Sequence, residues 1–301
     1  MTLLILLLSF VIPNVLAQCS EGHDEQLFLA SDFSEAVFTR GIEGPAVDKN
    51  GSLYVVNFNH QGSVGMVDKS GVASLWVDLP EGSIGNGIRF GKDGTMYVAD
   101  YTGHNVLQID RRTRKIVVFA HEPGMAQPND LAIMSNDIIF ASDPNWKNST
   151  GSIWRVDTNG TVVLLEKNMG TTNGIEVSPA DDRLYVNESV QKNIWVYDLD
   201  ASGNVSNKRL FHKFDDFGMD GMRCDVKGNL YVTRHGKGTI VILSPEGKMI
   251  REVSLTGKLA SNIAFGGPDG RTCYVTLQDR KLVEVFRAAH PGREWALNNR
   301  K

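Results

Sequence analysis

Six oxygen-bearing side chains stand at equivalent points along this 301-residue chain: Glu43, Asn86, Asn129, Asn173, Asp220 and Asn262. Each lies eleven or twelve residues before an aromatic residue in a recurring segment, and Gly or Asp follows it in five of the six. Such a set suits a hard cation, because calcium takes about 6–8 oxygen ligands from carboxylates, amide carbonyls and water. No His or Cys belongs to it, which argues against zinc or copper. One divalent cation is therefore expected, calcium first, with Zn2+, Mg2+ or Mn2+ as alternatives, and the carboxylates of Glu43 and Asp220 balance its charge. A plainer reading competes. Asn-Gly and Asp-Gly are common turn dipeptides, and an Asn or Asp at a strand start often caps backbone groups. That suffices for one such residue, whereas six in register ask for a common cause.

The register comes from an internal repeat. The aromatics Tyr54, Tyr97, Phe140, Tyr185, Tyr231 and Tyr274 are spaced 43, 43, 45, 46 and 43 residues apart. Each sits in a short apolar run after a polar turn, as in Asn50-Gly51-Ser52-Leu53-Tyr54-Val55 and Asp93-Gly94-Thr95-Met96-Tyr97-Val98. A second β-rich run and a further apolar stretch follow before the next copy. Four short strands in about 43 residues is the arithmetic of a propeller blade. The expected fold is all-β, a six-bladed β-propeller. The sixth copy is short of an outer strand, and Gln26-Leu27-Phe28-Leu29-Ala30 has the character to supply it. Pairing the two ends of the chain would remove the exposed sheet edge.

In a propeller the first strand of each blade lines the channel, so the six positions converge on one axis. Burying carboxylates and amides there without partners would cost several kcal/mol. A cation satisfies them together. The ends of the second strands lie on the same face, which places Asp100, Asp143, Glu188 and His235 around the rim, with Trp146 as a possible wall. Asn86, Asn262, Asp143 and His235 are the expected substrate contacts. His235 could shuttle a proton, although a histidine held by a neighbouring loop is the plainer reading.

Composition narrows the class. A net charge of −4 and a pI near 6.0 argue against a nucleic-acid surface. Residues 1–17 are almost wholly apolar, carry no charge, are broken by Pro13 and end in Val15-Leu16-Ala17. This reads as a signal peptide, too short to span a bilayer. A secreted or periplasmic protein is expected, with residues 18–301 as one propeller domain and no membrane span after cleavage. Five sequons, at Asn50, Asn148, Asn159, Asn187 and Asn204, are possible glycan sites in a eukaryotic secretory pathway. Cys19, Cys224 and Cys273 are too few for a disulfide framework.

Several of these segments together resemble the SMP-30/gluconolactonase/LRE family, to which diisopropylfluorophosphatase is related. They are Ile42-Glu43-Gly44-Pro45, Pro128-Asn129-Asp130, Phe140-Ala141-Ser142-Asp143-Pro144, Thr172-Asn173-Gly174-Ile175, Met219-Asp220-Gly221-Met222 and Asn262-Ile263-Ala264-Phe265-Gly266-Gly267. The resemblance implies metal ligation by Glu43, Asn173 and Asp220, with Asn129 as a fourth ligand or a substrate-facing amide. It also implies hydrolysis of a small-molecule lactone or related ester. Asp220 would then be general base or nucleophile, and Asn129 a donor to the developing oxyanion. One position departs: Gln127 stands where sugar-lactone members often carry Arg, so a sugar-acid substrate is not implied. Two alternatives stay open, namely phosphotriester or aryl-ester hydrolysis at the same site, and a non-enzymatic NHL-type propeller that binds proteins.

Overall fold

A computed structural model describes residues 26–299, and within them six four-stranded antiparallel sheets form the blades of one propeller. The innermost strands are Phe38–Val47, Gly85–Phe90, Leu131–Ile133, Thr172–Val177, Met222–Cys224 and Ala260–Gly266. Burial falls outward across each blade. Every residue of Ala260–Gly266 is buried, whereas five of six in the outer strand Met249–Ser254 are exposed. Inner strands, covered on both faces, need continuous apolar runs, while outer strands have one wet face and alternate more freely.

The recurring aromatic fills the wedge between blades. Tyr54 packs edge-on against Trp76 of its own blade at 5.0 Å and Phe90 of the next at 5.6 Å. Tyr231 meets Phe265 at 4.9 Å in the same way two-thirds of a turn later. Each such ring is nearly solvent-free, and its burial stabilises the fold by about 2–3 kcal/mol. One large side chain per repeat at this point is what holds adjacent blades at their angle.

Ring closure joins the chain's two ends, a few residues later than expected. Phe28 adopts a left-handed backbone conformation (φ 63°), which breaks the Gln26 to Ala30 run. Its N–H still donates to the Arg287 carbonyl at 2.9 Å. The ladder forms at Ser31–Asp32, opposite Val285 and Glu284, and Arg280 clamps it through both carboxylate oxygens of Asp32. The all-β expectation holds apart from one short helix, Arg293–Asn298, whose Arg293 and Glu294 reach inner-strand residues at the end of the channel opposite the six ring positions.

At four of the six ring positions the inner strands approach so closely that the glycine that follows, Gly44, Gly87, Gly174 or Gly221, has no room for a side chain. Gly44 is left-handed (φ +56°), and a Cβ on it would collide with the Asn86 carbonyl of the next blade. Gly174 faces the Asp220 carbonyl in the same way. These glycines therefore lie within strands and permit convergence rather than marking turns. Gly44→Ala is expected to destabilise the protein by about 2–4 kcal/mol, read as a lower Tm by calorimetry.

Residues 1–17 and Cys19 lie outside the described residues. No helix among the described residues is long and apolar enough to cross a membrane. Cys224 and Cys273 are free and buried, and their loss of solvent pushes both thiols well up. Of the sequon asparagines, Asn50, Asn148, Asn159 and Asn204 are exposed. Asn187 is fully buried and donates to the Asp220 carbonyl at 2.6 Å, so a glycan has no access to it in the fold.

Candidate active site

A cavity of about 260 Å³ opens at the end of the channel where the inner strands begin. Glu43, Asn86, Asn129, Asn173 and Asp220 all line it. The sixth ring residue, Asn262, does not. It is buried beneath the floor, where its Oδ1 accepts from the Ile263 N–H at 2.9 Å and its amide supports Glu43. For Asn262 the capping interpretation of strand-start asparagines holds.

Glu43 and Asp220 are neighbours on the floor, close enough for the Glu43 carboxyl to raise that of Asp220. Burial is the main cause of the upward shift of Glu43, to about 7, opposed by the Gly44 N–H that donates to its Oε2 at 2.8 Å. Asp220 looks into the cavity but is otherwise walled by protein. Its lost solvation, then the nearby Glu43 charge, hold its carboxyl well above the usual range.

The amides beside this pair are oriented. Asn173 Nδ2 donates to Ser189 Oγ at 3.0 Å, and Ser189 Oγ in turn donates to the Met219 carbonyl. Asn173 Oδ1 is thereby left buried with no hydrogen-bond partner, as is Asn86 Oδ1. A buried carbonyl oxygen without a partner is costly. Two carboxylates and two orphaned amide oxygens around one cavity floor match the donor set of a hard divalent ion. Among the described residues no group of three or more His, Cys, Asp or Glu is placed to hold a metal. This floor has only two such side chains, and its remaining donors are amides.

The expected rim is largely structural. Asp143 is buried and accepts from the Ala126 N–H at 2.8 Å, the Gln127 N–H at 2.6 Å and the Trp154 indole at 2.9 Å. Asp100 is spent on Ser83, Gly103 and Asn105, and Glu188 on Gly170 and Asn193. Each pins the loop that leads into its own blade's inner strand, and none lines the cavity. His235 stands one residue behind the wall, its Nε2 3.2 Å from Gln278 Oε1, and Gln278 does line it. Trp146 is 39% exposed and forms part of the wall.

Two features escaped the sequence reading. Tyr101 lines the cavity, hydrogen-bonds Trp146 and feels the Asp220 charge, and burial first of all pushes its phenol up. Below the floor lies a charged tier of Arg89, Glu176 and Arg223, each at most 1% exposed, with Asp130 between it and the floor. The signal was present, since each charge falls three residues after a ring position in an otherwise apolar strand. Register shifts between Gly85 and Ile88 and between Thr172 and Ile175 turn such residues to the same side.

The family described as "SMP-30/Gluconolactonase/LRE-like region" matches residues 42–279. A gluconolactonase of Zymomonas mobilis is 30% identical over 216 residues, covering 64% of this chain and 60% of that protein. The diisopropyl-fluorophosphatase of Loligo vulgaris is 26% identical over 305 residues, covering 89% and 95%. Among solved structures, a calcium-binding protein, regucalcin, of Agrobacterium tumefaciens superposes with a TM-score of 0.75 at 21% identity, covering 86% of this chain and 93% of that one. At that identity the superposition speaks for the fold alone.

Proposed function

The chain belongs to the SMP-30/gluconolactonase/LRE-like family, and from that premise we propose that it is a metal-dependent hydrolase of a small lactone. The reading is carried by the Glu43–Asp220 carboxyl pair, set beside orphaned amide oxygens on the cavity floor. Glu43, Asn129, Asn173 and Asp220 are the proposed ligands of one divalent cation, calcium before the others. When bound, such an ion supplies Lewis-acid polarisation of a carbonyl and acidifies water.

The protein's own groups do the rest. Glu43 is held by Gly44 and Asn262, so it balances charge without moving. Asp220 keeps a face to the cavity, which suits it to accept a proton from the attacking water or to attack the carbonyl carbon itself. Asn129 has its backbone fixed by Ser142 and by Gly87 of the previous blade, and its amide is the proposed donor to the developing oxyanion. Trp146 and Tyr101 offer an aromatic wall for the lactone ring. Trp146→Ala is expected to raise KM about 3–10-fold with kcat little changed, as uniform binding is lost; steady-state kinetics reads it.

A phosphotriester substrate is the second reading. It is favoured by the match along nearly the whole length of a diisopropyl-fluorophosphatase and by Gln127 at the position noted above. Aldonolactones, aromatic and aliphatic lactones, phenyl acetate, an aryl phosphotriester and a dialkyl fluorophosphate, each with and without chelator, separate the possibilities. No chelator-sensitive turnover of any of them would leave the NHL-type binding module. The apolar leader, residues 1–17, supports placing the protein outside the cytoplasm.

A further inference from the structure

The channel is closed at its far end by a carboxylate. Glu294, on the helix Arg293–Asn298, places Oε1 2.7 Å from Arg89 Nε and Oε2 3.9 Å from Arg223 Nε. Both guanidiniums are buried, and each also faces Asp130, at 3.2 and 3.3 Å. Yet Nε and Nη2 of both make no hydrogen bond, and neither does Glu294 Oε1. The pair is close without being aligned. Glu176 stands 3.9 to 4.0 Å from the same nitrogens and is also held at a distance.

We propose that Arg89 and Arg223 form a bis-guanidinium site for a small carboxylate, with Glu294 as its built-in ligand, and that this ion contact holds the C-terminal helix as a detachable plug. Two arginines side by side in a channel repel one another unless an anion lies between them. Asp130 supplies one charge from above and Glu176 a more distant one at 3.9 to 4.0 Å, and Glu294 supplies the charge from below. Planar guanidinium groups with free N–H donors match a carboxylate by geometry as well as charge.

The plug is attached elsewhere as well: the Gly292 N–H donates to the Gly270 carbonyl at 2.9 Å, Trp295 packs on Gly270, and Arg293 Nη1 lies 3.8 Å from Glu176. Gly292 bridges Asp225, the Val226 N–H donates to the Pro291 carbonyl, and the Arg293 guanidinium reaches the Ser178 and Ile133 carbonyls and Asp181. A cavity of about 130 Å³ lies beside Glu294, walled by Phe90, Ile133 and Leu297.

The test uses the full chain and formate. Glu294→Ala is expected to lower Tm by about 3–6 °C in sodium chloride. Sodium formate at matched ionic strength should recover at least half of that loss. Glu294→Gln fills the same space with a neutral amide, so it should melt low and ignore formate. Trypsin should cut after Arg293 about 10-fold faster in Glu294→Ala, as local opening becomes easier, and formate should slow it. Equal effects of formate and chloride, or a Glu294→Ala that melts like the parent, would overturn the proposal. If Glu294→Ala does not fold in chloride, refolding in formate decides: recovery supports the site and failure sinks it. None of these readouts depends on the reaction at the opposite mouth.

Discussion

Asp220→Asn is expected to cut kcat/KM on the best lactone by about 10²–10⁴-fold, the span that one positioned base or nucleophile usually contributes. It should do so without unfolding the protein. In the ion-free state the substitution removes one of two carboxyls forced together on the floor, so thermal stability at pH 8 should hold or rise. A role in folding alone would give the opposite sign. Calorimetric titration should show weaker calcium binding, because a neutral amide replaces one of two charged ligands. Glu43→Gln makes the informative comparison: it should lose ion affinity comparably while Asp220 stays available. Full turnover and unchanged ion affinity in Asp220→Asn would remove the proposed mechanism.

Ion affinity should fall steeply as pH drops below 7, by up to about tenfold per pH unit for each proton displaced, since the ligands must be deprotonated to bind. The ion-free protein should respond in the opposite direction. Glu43 is raised from its ordinary 4.5 to about 7, chiefly by burial, and Asp220 moves up for the same reason. Between those pH values the folded protein retains a proton that the unfolded chain has released. Its stability is therefore greatest on the acid side and declines as pH rises through about 7. A fall in Tm of about 3–8 °C between pH 5 and pH 8 is expected in chelator, abolished by saturating calcium at pH 8. Dissociation constants measured across the same range supply the other half. If they are flat with pH, the two carboxyls do not ligate the ion together.

The propeller was legible because its physics is periodic. One aromatic per 43–46 residues is demanded by each wedge between blades, and the ring residues keep a constant offset from it. Their convergence, and the absence of imidazole and thiolate donors, therefore followed from spacing alone. What spacing does not encode is which way each side chain turns at the crowded axis. Asn262 satisfies its own strand's N–H and drops beneath the floor, whereas Asn173 is tied by Ser189 so that its oxygen stays free. Asp143 shares the character of a rim ligand but spends its lone pairs on two backbone N–H groups and an indole. The charged tier and the C-terminal plug depend on contacts across the ring, such as Glu294 with Arg89, more than 200 residues apart. The sequence by itself determined the repeat, the blade number and the oxygen-rich axis, because each recurs locally. Only the tertiary structure decided which polar atoms remain unpaired, because hydrogen-bond satisfaction is settled by neighbours that the chain brings together last.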